Sequence, residues 1–309
     1  MKENHKSEGL NIALPNGSLE EGTMRLFEEA GFPIKRDPRK HDAFVDSPLI
    51  ERVKWMRPQI MPRLVKNGVY DVGVCGLDCV RESKSWVGEA AFLRYGRGTS
   101  TGEASIVLVT NKDNPVQSIR EIRKDSVILS EYPTVTSEML VFFGLTAEVH
   151  FSYGCTEAHI PGDYEYGVCL TDTGASLVAN GLKIIHKVMK TGTTLIVSPE
   201  IWLEPSRLEL PEHPKKQSVI VLRHFLLGVL EAREKVLLKM NVVAEKKDAV
   251  FAVLPALKTP TIAPLADGKS FAIETVVPRK DANGIIIKAA QAGAEGILEL
   301  PITKMIPKW

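Results

Sequence analysis

Cysteine is scarce in this 309-residue chain: Cys75, Cys79, Cys155 and Cys169 are the only four, too few for a disulfide framework at this length. They lie in apolar or glycine-containing segments and read as reduced thiols. Cys75-x3-Cys79 has no second Cys/His pair nearby to complete a metal site, which favours packing. Charge of one sign is also lacking. The 39 Lys and Arg against 38 Asp and Glu leave a formal net charge of +1, which argues against a nucleic-acid binder, whose phosphate contacts need a clustered basic excess. No uninterrupted apolar run approaches the roughly 20 residues of a membrane span, and the opening Met-Lys-Glu-Asn-His-Lys-Ser-Glu is too polar for a signal peptide. A cytoplasmic protein is the expectation. Internal repeats and low-complexity tracts are absent too, and the length allows two or three domains, each with its own core.

What is present is an alternation of apolar strand-like runs and amphipathic helices, which predicts an α/β fold with largely parallel strands. Asn11–Leu14 reads as a strand, Leu19–Ala30 as a helix stopped by Gly31, and Pro58–Asn67 as a helix with Ile60, Met61, Leu64 and Val65 on one face. Asp71–Cys75 follows as a strand. Glu103–Thr110 carries the chain into a second lobe, with strands at Val127–Leu129 and Ala147–Phe151 and a helix at Thr136–Phe143, and Thr193–Val197 returns to the first. Chain crossings near 100 and 185 predict two lobes and a cleft, where ligands are expected. The boundaries read as lobe I about 1–103 and 186–230 and lobe II about 104–185. Glu204–Gln217 reads as a loop before a helix from Ser218 to about Lys235. From 231 to 309 the order becomes strand, helix, strand, strand, helix, strand, which is the ferredoxin-like (ACT-like) pattern of a second domain.

The most informative stretch is Thr171-Asp-Thr-Gly-Ala-Ser-Leu-Val-Ala-Asn-Gly-Leu182. Tyr166–Thr171 reads as a buried strand and Ser176–Asn180 as a first helical turn, so Asp172, Thr173 and Gly174 form the connection. Unpaired backbone N–H groups at such a turn suit an anion; Gly174 permits close approach, and the hydroxyls of Thr173 and Ser176 can donate to phosphate oxygens. Asp172 can face a sugar hydroxyl or a magnesium ion. An ordinary strand-to-helix turn with Thr173 as N-cap accounts for the same residues. Gly96–Gly102 is glycine-rich but lacks the Lys-Ser/Thr ending of a nucleotide P-loop, and reads as a crossover between lobes.

Several further segments stand in the order found in one enzyme family: Leu10-Asn-Ile-Ala-Leu-Pro-Asn-Gly-Ser-Leu19, Met56-Arg-Pro58, Gly68–Asp78, Ser130-Glu-Tyr-Pro133, Leu254–Leu265 and Gly293–Ile302. With the Thr171–Leu182 loop they cover nearly the whole chain, which resembles ATP phosphoribosyltransferase in its long form with a C-terminal regulatory domain. The resemblance implies a bilobal catalytic domain like type II periplasmic binding proteins over 1–230 and a histidine-binding domain over 231–309. It also implies transfer of phosphoribosyl from phosphoribosyl pyrophosphate to N1 of ATP, releasing pyrophosphate, with Mg2+ as cofactor, histidine as feedback inhibitor, and assembly as a homo-oligomer, dimer and hexamer.

Carried over residue by residue, the resemblance puts phosphoribosyl pyrophosphate at Thr171, Asp172, Thr173, Gly174, Ala175, Ser176, Leu177 and Glu157. ATP falls to Gly17, Arg57, Asp78 and Tyr132, histidine to Asn241, Thr261, Val276 and Gly296, and the metal to Asp172; no side chain is assigned a catalytic role. Simpler roles compete: Arg57 as a surface arginine, Asp78 as a helix N-cap, Tyr132-Pro133 as a turn, Val276 as core. Three positions depart from the pattern: Cys169 stands where an acid is usual, Ser18 where an arginine is usual and Ile60 where an aspartate is common. The losses are electrostatic, so a catalytically weakened homologue acting as an amino-acid sensor or regulatory subunit is the alternative reading.

Overall fold

The computed structural model describes residues 9–36, 42–96, 102–202, 213–255 and 260–306, and divides into two units, Met1–Arg223 and His224–Trp309. The first unit opens with β1 (Leu10–Pro15), α1 (Glu20–Ala30), β2 (Ile34–Arg36), β3 (Asp42–Val45), β4 (Ile50–Met56), α2 (Met61–Lys66), β5 (Val72–Gly76), α3 (Leu77–Glu82) and β6 (Gly88–Phe92). β1 is buried on both faces, as a strand flanked by parallel β4 and β5 requires. α1 buries Leu26, Phe27 and Ala30 along one stripe and stops at Gly31, whose φ of 92° is the left-handed turn that ends helices. The helix expected from Pro58 begins as a 3-10 turn, Pro58–Ile60. Its tighter repeat leaves Ile60 exposed, off the face where Met61 and Val65 are buried.

The second lobe comprises β7 (Glu103–Asn111), β8 (Val127–Ser130), α4 (Pro133–Phe143), β9 (Glu148–Phe151), β10 (Tyr166–Thr171) and α5 (Ala175–Ala179). α4 starts three residues before the expected Thr136, because proline is favourable at the first helical position. The chain then returns through β11 (Leu182–Val197), α6 (Pro199–Trp202) and α7 (Lys216–Arg233).

β11 is far longer than the Thr193–Val197 strand expected. Its first part pairs antiparallel with β7 and its last part antiparallel with β5. It thereby joins both lobes in one path, β2-β3-β4-β1-β5-β11-β7-β10-β8-β9, with β6 also on β11. The expectation of a largely parallel sheet is corrected: β1 runs parallel to β4 and β5, and β8 to β9 and β10, while the remaining pairs are antiparallel. β10 reaches β11 through α5, passing over β7, so β10 and β11 run parallel to each other and both antiparallel to the β7 strand between them. At the other crossing, residues 97–101 of the glycine-rich segment lie outside the described residues.

Just before α7, Lys215 forms a 2.7 Å ion pair with Asp71, both side chains under 15% exposed. Asp71 also accepts the Asn11 N–H at 2.7 Å, so the pair ties the start of α7 to the first lobe.

The second unit contains β12 (Lys235–Val243), α8 (Lys247–Val253), β13 (Thr261–Pro264), β14 (Ser270–Pro278), α9 (Ala282–Ala292) and β15 (Glu295–Pro301). Its antiparallel order β13-β14-β12-β15 is the ferredoxin-like arrangement. Val236, Leu238, Met240 and Val242 alternate into a core with Val250, Ile273, Val277, Ile285 and Ala289. Leu237, Lys239 and Asn241 consequently point to the opposite face of the sheet.

Candidate active site

The Thr171–Ser176 loop stands at the end of β10, whose residues Tyr166–Cys169 are buried. β10 packs closely against the Thr156 turn: a Cβ on Gly167 would lie 2.9 Å from Thr156 Cγ2. The chain turns at Gly174, with φ 78°, and this glycine rather than Thr173 holds the N-cap position of α5. Thr171 Oγ1 accepts the Gly174 N–H at 3.0 Å, and Thr173 Oγ1 accepts the Ala175 N–H at 3.3 Å. Ser176 Oγ donates to Glu157 at 3.0 Å. No atom lies within 4 Å of where a Cβ on Gly174 would stand, so the loop opens to solvent there. Together Glu131, Cys155, Glu157 and Thr171–Ser176 line a cavity of about 360 Å³. The side chain of Leu177 does not join them; it packs in the core with Val107, Val109 and Cys169.

Across the cleft, β5 ends at Gly76 and α3 carries Asp78. A Cβ on residue 76 would stand 2.1 Å from Asp78 Oδ1, so the carboxylate uses space that only glycine leaves open. Thr191 of β11 holds Asp78 at two points: its Oγ1 accepts the Asp78 N–H at 2.9 Å and donates to Asp78 Oδ1 at 2.7 Å. Sequence reasoning missed Thr191, although the Thr191-Gly-Thr-Thr194 run beside a crossing was an available signal. Tyr132 approaches from the second lobe, its N–H donating to Ser130 Oγ at 2.8 Å. Burial, and after it the nearby Asp78 charge, push the phenol's pKa well above its ordinary value, so the ring stays neutral. Asp78, Tyr132, Asp172 and Thr191–Thr193 line a second cavity of about 220 Å³ with Ser18, Leu19 and Gln59.

Asp172 lines both cavities, so the two candidate substrate regions adjoin. Gly17 and Arg57 lie together: Arg57 Nη1 is 3.9 Å from where a Cβ on Gly17 would stand, and Gly17 has φ 83°. Neither stands in the wall of these two cavities, whereas their neighbours Ser18 and Pro58 line the second. Cys169 is 1% exposed, and burial, with Glu157 and Glu131 adding to it, raises its thiol to about 12. It therefore brings no negative charge to the loop. Among the described residues no three His, Cys, Asp or Glu side chains converge as a metal cage. Asp172, which shares its cavity wall with Glu131 and Glu157, is the type of ligand that suits magnesium, an ion that keeps most of its coordination for water and substrate oxygens.

In the second unit Asn241, Thr261, Val276 and Gly296 share the sheet face turned away from the helices. Asn241 sits at a register irregularity between β12 and β15, and its Nδ2 is 3.7 Å from where a Cβ on Gly296 would stand. Thr261 lies opposite Glu274 and Asn241 opposite Ala272. Val276 is four residues along β14 from Ala272, hence about 13 Å from the Asn241 row. The four are spread over the face, with only Asn241 and Gly296 adjacent.

The family described as ATP phosphoribosyltransferase matches residues 57–212, and the one described as HisG, C-terminal domain matches residues 232–304. The ATP phosphoribosyltransferase of Pelotomaculum thermopropionicum is 37% identical over 298 residues, covering 96% of this chain and 99% of its own. That of Desulforudis audaxviator is 35% identical with the same coverage. Among solved structures, the ATP phosphoribosyl transferase (HisG:HisZ) complex from Thermotoga maritima contains a chain similar at a TM-score of 0.59 and 23% identity. The match covers 72% of this chain and 98% of that one, and it shows the fold.

Proposed function

The chain belongs to the ATP phosphoribosyltransferase family, which carries out the first step of histidine biosynthesis, and on that premise we propose that its cleft aligns ATP with phosphoribosyl pyrophosphate for displacement at the anomeric carbon. N1 of ATP is a neutral base with a free lone pair, so no general base is needed; the work is alignment of two polyanions and stabilisation of the departing pyrophosphate. The hydroxyls of Thr171, Thr173 and Ser176 and the open backbone at Gly174 receive the phosphoribosyl moiety, Glu157 steadies Ser176, and Leu177 contributes backbone only. Asp78 and the neutral ring of Tyr132 receive the adenine side, with Gly17 and Arg57 at the outer edge. Asp172 would be the protein carboxylate that holds Mg2+, and the ion, when bound, would supply charge that offsets the leaving pyrophosphate.

The observation that supports this arrangement most directly is the shared wall of Asp172, which puts the loop and the Asp78–Tyr132 pair on adjoining cavities. Tyr132→Ala should raise the Michaelis constant for ATP in a pyrophosphate-release assay with little change in that for phosphoribosyl pyrophosphate. Loss of selectivity between the two substrates would remove Tyr132 from the nucleotide side. No pyrophosphate release from the full chain with both substrates and Mg2+ would overturn the catalytic reading.

Histidine as feedback inhibitor is the corresponding reading of the second unit. Asn241 and Thr261 offer polar groups, Gly296 leaves room for a ligand backbone, and Val276 borders the same face. Calorimetry should show heat with histidine that Asn241→Ala abolishes; its absence in the full chain sinks this assignment. A homo-oligomer, dimer and hexamer, is proposed with it and is read by sedimentation. A cytoplasmic location accords with a biosynthetic enzyme; among the described residues no helix is long and apolar enough to cross a membrane.

A further inference from the structure

We propose that Glu82 is a positioning residue that fastens the two lobes together so that Tyr132 and Asp78 face each other across the nucleotide cleft. The inference rests on the assignment of that pair to ATP. The first N–H groups of a helix have no intrahelical partner and carry partial positive charge. Tyr132, the N-cap residue of α4, makes no side-chain capping bond. The acceptor comes instead from the other lobe, at the last residue of α3: Glu82 Oε1 accepts the Thr134 N–H at 2.9 Å and Oε2 accepts the Val135 N–H at 3.0 Å.

Each carboxylate oxygen thus takes one N–H, which fixes direction as well as distance. Lys84 and Glu138 form a 2.9 Å pair between the same segments, but with both side chains more than half exposed it is screened by solvent and adds little. Stability of α4 alone would be served by a Ser or Asp at its own N-cap. Drawing the cap from the opposite lobe makes the helix end sensitive to lobe separation, and Tyr132 immediately precedes that end. Asp78 stands one turn before Glu82 on α3, so a single helix pair carries both the fastening and the two cleft groups. A third cavity, of about 310 Å³, has Glu82 and Thr134 in its wall together with Asp78 and Tyr132, contiguous with the one those two line. The positive end of α4 is occupied by a protein carboxylate, so substrate phosphate is directed elsewhere in the cleft.

In water both the carboxylate and the N–H groups regain partners when the lobes part, which makes the fastening reversible. The test uses the full chain. Glu82→Ala should raise the Michaelis constant for ATP roughly tenfold, as expected for loss of charge-assisted hydrogen bonds, with little change for phosphoribosyl pyrophosphate, and Glu82→Asp should restore part of the loss. Amide exchange should quicken in Leu77–Glu82 as well as in Pro133–Phe143. A local helix cap would quicken the second segment alone, and that result overturns the proposal. So does an unchanged ATP constant in Glu82→Ala when Tyr132→Ala raises it. If Tyr132→Ala has no effect on ATP, the nucleotide assignment fails, while faster exchange in both segments still supports the fastening.

Discussion

Thr191→Val tests whether the crossing strand sets the position of Asp78. Valine has nearly the shape of threonine, and residue 191 is 5% exposed, so the change removes two hydrogen bonds without opening a cavity. A buried N–H left without its acceptor costs about 1–3 kcal/mol, and the bond to the carboxylate contributes about 1.5–3 kcal/mol. Asp78 also lines a cavity that admits water, so part of the second contribution returns as hydration. A net loss of about 2–4 kcal/mol follows, which lowers the melting temperature of the first unit by roughly 4–16 °C. Freed from its clamp, Asp78 adopts several rotamers and the Michaelis constant for ATP rises; Thr191→Ser, which keeps the hydroxyl, retains most of both properties. Scanning calorimetry and pyrophosphate release measure the two effects. A Thr191→Val chain with wild-type melting temperature and wild-type ATP dependence would refute the argument.

Gly174→Ala and Gly174→Val place a side chain at φ 78° in open space, so their cost is backbone strain of about 1–2 kcal/mol rather than collision, larger for the β-branched residue. Calorimetric affinity for phosphoribosyl pyrophosphate should fall in the same order, and an unchanged affinity in folded Gly174→Val would remove the loop from that site. Asp71→Ala strands the largely buried Lys215 ammonium and should cost about 2–4 kcal/mol in denaturant unfolding, with substrate constants preserved; a loss below about 1 kcal/mol would mean the pair is as solvent-screened as a surface one. Cys155 is the exposed thiol, whereas burial raises the pKa of Cys75, Cys79 and Cys169. Native labelling should therefore consume one thiol per chain, with phosphoribosyl pyrophosphate slowing it, and rapid consumption of further thiols would contradict the buried placement.

The legible parts of the fold are those decided by neighbours in the chain. β10, the turn at Gly174 and α5 follow from an apolar run meeting a glycine. The ferredoxin-like order of the second unit follows from alternating Val236, Leu238, Met240 and Val242 and from helices bounded by local signals. β11 was legible only at Thr193–Val197, because Lys183, Lys187 and Lys190 and two register shifts break the period-two pattern of its first part, which gains its strand character from pairing with β7. Ile60 fell off its expected stripe through a local change from α to 3-10 winding, which periodicity does not resolve.

For the candidate site the division is sharper. Residue types and spacing within Thr171–Ser176 were enough to mark an anion-accepting turn, and Asp78 and Tyr132 were identifiable from their places after strands. Their mutual arrangement was decided only in three dimensions. Thr191 reaches Asp78 over 113 residues of sequence and Glu82 reaches Thr134 over 52, and Leu177 turns inward while its neighbour Ser176 turns out. Local sequence sets backbone preference and which face is apolar, because those depend on a few adjacent side chains. Which carboxylate meets which hydroxyl or helix end depends on how the strands cross between lobes, and that was settled by tertiary packing.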